Sequence, residues 1–428
     1  MRIAAAARAP LYRNGIALAA NSTLSSLLGF GYWIVATHHA SRATVGEASA
    51  LVAALTALSA VAQLSLPTVL VSFLPRAGAH AGRLVARAYA LAVCSSVALG
   101  VVFAVVAARV DDAFAPLAGA VGAVTFGIAV AIWSLFSLQD NALTGLRCAI
   151  WVPVENMLYS AAKLAALLAL GAGVGAIGLL ATWVVPAAVG LLPVSGVLFL
   201  RLLPRHQQRS GNVDLGGLRG YFAGDGLGLV LSQVGSTLLP ILVVVRLGPE
   251  AGGAFGIAWM IVQSLDLVAI NLGMSLTVEG AHDERELPQL LRGLRTRSLA
   301  VVGALAAGGI LIAPELLSIF GASYGEHATV VLRLMLLGSI PRVVSVLALS
   351  AARAQRRSLR LLGLQGALAV LVPTSAWLLA GPLGLAGVGL AWVGAQAVVA
   401  VGALVTEGGR RTPRRLQVSP VVAVAANR

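Results

Sequence analysis

Twelve long apolar runs constrain this chain more than any other feature. They fall at about 14–36, 45–74, 88–108, 114–138, 156–172, 175–200, 220–245, 251–278, 298–318, 328–352, 359–380 and 383–406. A helix needs roughly 20 apolar residues to cross the hydrocarbon core of a bilayer, so each run reads as a membrane span. Only 11% of the 428 residues are charged, against about 25% in a soluble domain. Too few charges remain to cover a water-facing surface, and lipid is the expected main solvent. The fold class predicted is all-α and integral to the membrane. Pro67 interrupts the second run and is expected to be tolerated by bundle neighbours.

The net charge of +14 does not point to nucleic acid, because the basic residues form neither a face nor an aromatic-lined groove. They sit in short clusters between the runs, where they set orientation. One alternate set of segments comprises the N-terminus, about 75–87, 139–155, 201–219, 279–297 and 353–360, and the C-terminal tail. It holds 24 of the 30 basic residues, and the opposite set holds only Arg42, Arg109 and Arg246. The split predicts both termini on the cytoplasmic side of a plasma membrane. Arg2, Arg8 and Arg13 ahead of the first run resemble a signal peptide, but a retained first helix is expected because no cleavage site leads into a soluble domain.

An even number of spans with both ends inside allows two six-helix units in parallel orientation around a central cavity. A faint echo between Gly46-Glu47-Ala48 and Gly253-Ala254-Phe255 suggests such a repeat. The expected division is 1–210 for one lobe, 211–406 for the other and 407–428 for a basic cytoplasmic tail. That tail, with Arg410, Arg411, Arg414 and Arg415, reads as a topology anchor, with contact to anionic membrane lipids as the second reading.

The sequence has no Walker A loop, HExxH or Cys-His metal spacing, and no cofactor is expected. Cys94 and Cys148 suggest no disulfide framework. His38 and His39 fit an interfacial position better than a metal site. The segment His282-Asp283-Glu284-Arg285-Glu286 reads as a solvated loop. Transport energy would come from a proton or sodium gradient, the membrane potential or the substrate gradient.

Ionisable groups at membrane depth cost about 2.5–3.5 kcal/mol each on insertion scales and are therefore candidates for function. Lys163 is the single lysine of the chain. Asn156, Ser160 and Lys163 follow i, i+4, i+7 spacing, which puts them on one helical face and suggests a cavity wall. A snorkelling lysine is the alternative. Arg342 follows Pro341 in the tenth run; its planar fork suits a phosphate, or it caps carbonyls that the proline leaves free. Arg333, half a turn out of phase, reads as structural. Asp266 and Asp225 are candidates for carrying a coupling ion, with Asp225 alternatively interfacial. Asn14, Asn21 and Ser25 form another stripe, which either lines a cavity or bonds neighbouring helices.

Several segments together resemble a known family. They are Gly29-Phe30-Gly31-Tyr32-Trp33-Ile34-Val35-Ala36, Asp140-Asn141-Ala142-Leu143-Thr144-Gly145-Leu146-Arg147, Trp151-Val152-Pro153-Val154-Glu155-Asn156 leading to Lys163-Leu164, Ser275-Leu276-Thr277-Val278-Glu279-Gly280-Ala281-His282, and Pro341-Arg342. The chain resembles the polysaccharide-biosynthesis (Wzx-like) flippases of the MATE/MOP transporter superfamily over nearly its whole length. The resemblance implies two six-helix lobes and alternating access. It also implies export of a lipid-linked, polyprenyl diphosphate oligosaccharide, a precursor of lipopolysaccharide or a related polysaccharide. Substrate contacts are then expected from Lys163, Arg342, Asn156, Asn21 and Arg147, and partnership with glycan polymerase and glycosyltransferase proteins follows. The competing readings are a multidrug or cation antiporter of the same superfamily, a membrane polysaccharide polymerase or ligase, and a scaffold for glycan synthesis. Short outer loops argue against the polymerase.

Overall fold

Without water to bond their polar groups, apolar runs in lipid satisfy the backbone internally, as helices. The computed structural model describes residues 28–148, 151–209, 226–282, 287–355 and 357–408, and within them the chain is helical with no strand. Each expected run overlaps a helix.

The first half begins with α1 (28–39) and α2 (Arg42–Gln63). Ser41 caps α2, its hydroxyl accepting the Thr44 N–H at 3.1 Å. The second run is not one continuous helix: α2 stops where Leu64 takes φ 48°, and α3 (Leu66–Phe73) starts afresh. Pro67 therefore lies in the first turn of a new helix, where a missing N–H leaves no bond unmade. Next come α4 (Ala81–Val110) and α5 (Gly119–Gly145). A 3-10 segment containing Pro116 separates them, so α5 begins later than its apolar run. The half closes with α6 (Trp151–Leu170), α7 (Ala176–Val197) and α8 (Leu203–Arg209), the last two joined by one π-helical turn.

The second half comprises α9 (Gly226–Leu247), α10 (Pro249–His282), α11 (Leu287–Leu311) and α12 (Ala313–Ser318). They are followed by α13 (Ala322–Ala354), which runs through Pro341 unbroken, and α14 (Ser358–Gly408). The last is really two helices, because Gly384 breaks it at φ 59° and ψ −140°. Among the described residues, eight segments pass as spans on length and apolarity alone. Of the four other expected runs, the first is described only from residue 28. The segment Leu359–Thr406 counts once but contains the Gly384 break. The described side chains of α9 begin only at Thr237, and α6 is diluted by Glu155, Asn156 and Lys163.

Helices α2–α8 pack among themselves, as do α9–α14, and α2 is the main bridge, resting on α9 and α10. The seam is tight at the N-terminal ends of α2 and α10. A β-carbon at Gly46 would collide with the carbonyl oxygen of Pro249 and sit 2.5 Å from the Gly253 nitrogen, so only glycine permits this approach. One at Gly256 would lie 2.7 Å from Ser49 Oγ. Val45 is buried in the core of the second half, and Val244 in that of the first. Arg42 closes the seam by pairing with Glu250 at 2.9 Å and donating to the Ser323 carbonyl at 3.4 Å.

Candidate functional site

Lys163, which is buried, and Arg342, which is half-buried, lie in different halves, and the fold handles them differently. Lys163 projects from α6 among aromatic rings. Its Nζ lies 3.8 Å from the centroid of Trp183, 4.7 Å from Tyr32 and 5.5 Å from Tyr159. The residue is only 5% exposed. Among the described residues no carboxylate pairs with it. Ring faces are electron-rich, so they partly replace the lost water around an ammonium.

The rings are held from behind. The Tyr32 hydroxyl bonds Thr182 Oγ1 at 2.7 Å and donates to the Leu179 carbonyl at 3.3 Å. Trp133 lies 5.7 Å from both Trp183 and Tyr159. Tyr159 stands one turn before Lys163 on α6, whereas Tyr32 comes from α1 and Trp183 from α7. Three helices must meet before this cage exists.

Arg342, on α13, is neutralised instead. It forms an ion pair with Asp266 of α10, a charge contact without aligned hydrogen-bond geometry, and its guanidinium carbon lies 5.2 Å from the Trp392 ring centroid. Asp266 is 3% exposed and Arg342 15%. The sequence reading gave these two residues separate roles, one for an anion and one for an ion. The structure brings them together.

A third polar group lies nearer the start of α6. Gln139 donates to Glu155 Oε1 at 2.7 Å and accepts from Ser195 at 2.9 Å, while Asn156 donates to Asp140 Oδ2 at 3.2 Å. One oxygen of each carboxylate, Asp140 Oδ1 and Glu155 Oε2, is buried with no hydrogen-bond partner among the described residues. Asn156, expected at the substrate, is thus engaged with Asp140. Sequence reasoning did not single out these two carboxylates, although both lie inside the motifs quoted above.

Arg147 is exposed in the turn between α5 and α6, with φ 59°. Lys163 lies 12 positions into α6 from Trp151, about 18 Å along the axis at the usual helical rise. The structure does not bring the two together. Arg333 is exposed and donates to the Ile310 carbonyl at 3.0 Å. Asn21 and Asp225 lie outside the described residues.

The helical architecture, with two helical groups joined through α2, is similar to the fold of solved MATE transporters of the MOP superfamily. A multidrug MATE transporter solved in an inward-facing conformation matches at a TM-score of 0.69 with 15% identity, covering 90% of this chain and 94% of that one. The outward-facing conformation of a multidrug MATE transporter matches at 0.60, with 17% identity and coverages of 92% and 94%. A MOP transporter from Pyrococcus furiosus Vc1, described as having a binding pocket of reverse polarity that suggests a different function, matches at 0.63, with 16% identity and the same coverages. No family model and no curated protein matches the chain.

Proposed function

We propose that this chain is an alternating-access transporter that exports an anionic amphiphile, a polyprenyl diphosphate-linked oligosaccharide, across the plasma membrane with both termini cytoplasmic. The observation that carries this reading is Lys163, a buried cation facing no carboxylate among the described residues. A buried charge without a partner is expensive, and a transient anionic ligand supplies what the resting fold lacks. Arg342 adds a second contact, its fork held in orientation by Asp266 and Trp392. An inside-negative potential would drive an anion outward by about 2.3 kcal/mol per charge per 100 mV.

The Arg42–Glu250 seam supports an inward-open resting state, since the loop charges put that end outside. The test is translocation of a labelled lipid-linked oligosaccharide in proteoliposomes. Lys163→Ala should slow it at least about tenfold, as expected for losing one charge-assisted contact. Unchanged export would remove the anion reading.

Asp140 and Glu155 favour a second reading, since carboxylates without a cationic partner among the described residues suit a cation, either as cargo in a multidrug or cation exporter or as a coupling proton or sodium ion. Accumulation of organic cations by vesicles containing the chain, abolished by Glu155→Gln but not by Lys163→Ala, would favour the exporter.

A further inference from the structure

The rings around Lys163 have the composition and spacing of a site for a foreign cation. Two tyrosines and a tryptophan converge on one point at 3.8–5.5 Å, the arrangement by which proteins recognise quaternary ammonium groups. The rings are also held by contacts that do not involve the lysine. Tyr32 is tied to Thr182 and Leu179, Tyr32 and Trp183 meet edge to face at 5.9 Å, and Trp133 backs the other two rings. The Tyr159 hydroxyl, on a residue only 9% exposed, has no hydrogen-bond partner among the described residues.

We propose that Lys163 is a tethered occupant of a preformed cation cage, and that it is the residue by which this transporter excludes quaternary ammonium and related lipophilic cations. The cage is filled from within the chain. An ammonium on its own tether competes at a very high effective concentration, so a free cation of the same affinity cannot displace it. Removing the side chain beyond its β-carbon clears roughly the volume of a tetramethylammonium ion. That ion is a better guest than lysine, because it gives up less hydration on entering the rings. The cage stands on its geometry; only its consequence, a site closed to cationic cargo, rests on the anion-export reading.

The experiment titrates tetramethylammonium into the purified full chain in lipid nanodiscs, following tryptophan emission and heat of binding. Lys163→Ala and Lys163→Ser should both acquire saturable binding, at least about tenfold tighter than wild type. Lys163→Met, which fills the cage without charge, should not. Adding Trp183→Leu to Lys163→Ala should weaken the new binding about tenfold or more.

Four results would overturn the proposal. Wild type and Lys163→Ala could bind equally; folded Ala and Ser variants could both fail to bind; or binding could survive loss of Trp183. Loss of folding in both variants would also count against it, because a cage that collapses without its lysine is not preformed. Oligosaccharide export by the same variants is scored separately. Loss of export without a gain of cation binding sinks this inference alone, while the gain with export intact sinks the anion reading alone.

Discussion

A methyl group at Gly46 would lie 2.5 Å from the backbone nitrogen of Gly253 and closer still to the carbonyl oxygen of Pro249. Ordinary contact begins near 3.4 Å and the Pro249 oxygen is the nearer obstacle, so Gly46→Ala forces α2 and α10 apart by about 1.5 Å. Neither obstacle is a side chain that can rotate away. Overpacking of this kind costs about 1–3 kcal/mol, and the cost falls only on the conformation in which the seam is closed. The ratio of closed to open transporter should therefore fall by about 5- to 150-fold. The assay places a cysteine at Ser49, inside the seam, after Cys94 and Cys148 are changed to serine. A membrane-impermeant maleimide is then added outside intact cells. Labelling should accelerate by that factor in Gly46→Ala and stay unchanged in Gly303→Ala, where a β-carbon meets nothing within 4 Å. Equal labelling with and without Gly46→Ala would refute the assignment of this seam as the closed outer end.

Arg342→Gln should destabilise the chain by about 3–5 kcal/mol, because Asp266 then stays buried without its partner; the double variant with Asp266→Asn should recover most of the loss in thermal unfolding. Equal melting of single and double variants would contradict a paired site. Gly384→Ala should cost about 1–3 kcal/mol through backbone strain alone, since φ 59° with ψ −140° is essentially a glycine conformation and no neighbour obstructs the methyl. Gly366→Ala, in open helical surroundings, should instead gain about 0.5–1 kcal/mol, and the pair is read in one melting experiment.

The spans were legible because lipid allows one backbone solution, and runs of apolar residues report it directly. The break between α2 and α3 was not, although Pro67 marks it. Its position depends on Leu64 taking a left-handed conformation, which no local preference of leucine predicts. The buried stripe of Ser160 and Lys163 followed from helical spacing, and both residues are under 9% exposed. The rest of the cage was hidden because Tyr32 and Trp183 reach it from α1 and α7. Arg342 and Asp266 were each visible as charges at membrane depth, but pairing between α10 and α13 is a property of packing.

Helix α6 carries opposite charges two turns apart, Glu155 and Lys163, separated by about 12 Å along the axis. At an effective dielectric of about 20, unit charges at that distance interact by about 1.4 kcal/mol, a factor of ten in affinity. Among the described residues no ion pair joins Glu155 to Lys163, so its influence on an anion there is electrostatic. Gln is close in size, and in Glu155→Gln the side-chain oxygen can still accept from Gln139. Removing the negative charge makes the potential at Lys163 more positive. Affinity for a lipid diphosphate should therefore rise by about tenfold per negative charge of its head group in Glu155→Gln, with the increase shrinking as salt is raised if water penetrates between the two. Equilibrium binding of a short-chain polyprenyl diphosphate to the purified chain measures this directly. An unchanged or weakened affinity at low salt would mean that Glu155 is already neutralised by a proton or a bound cation. The two charges on α6 would then act on cargo only through that second ion.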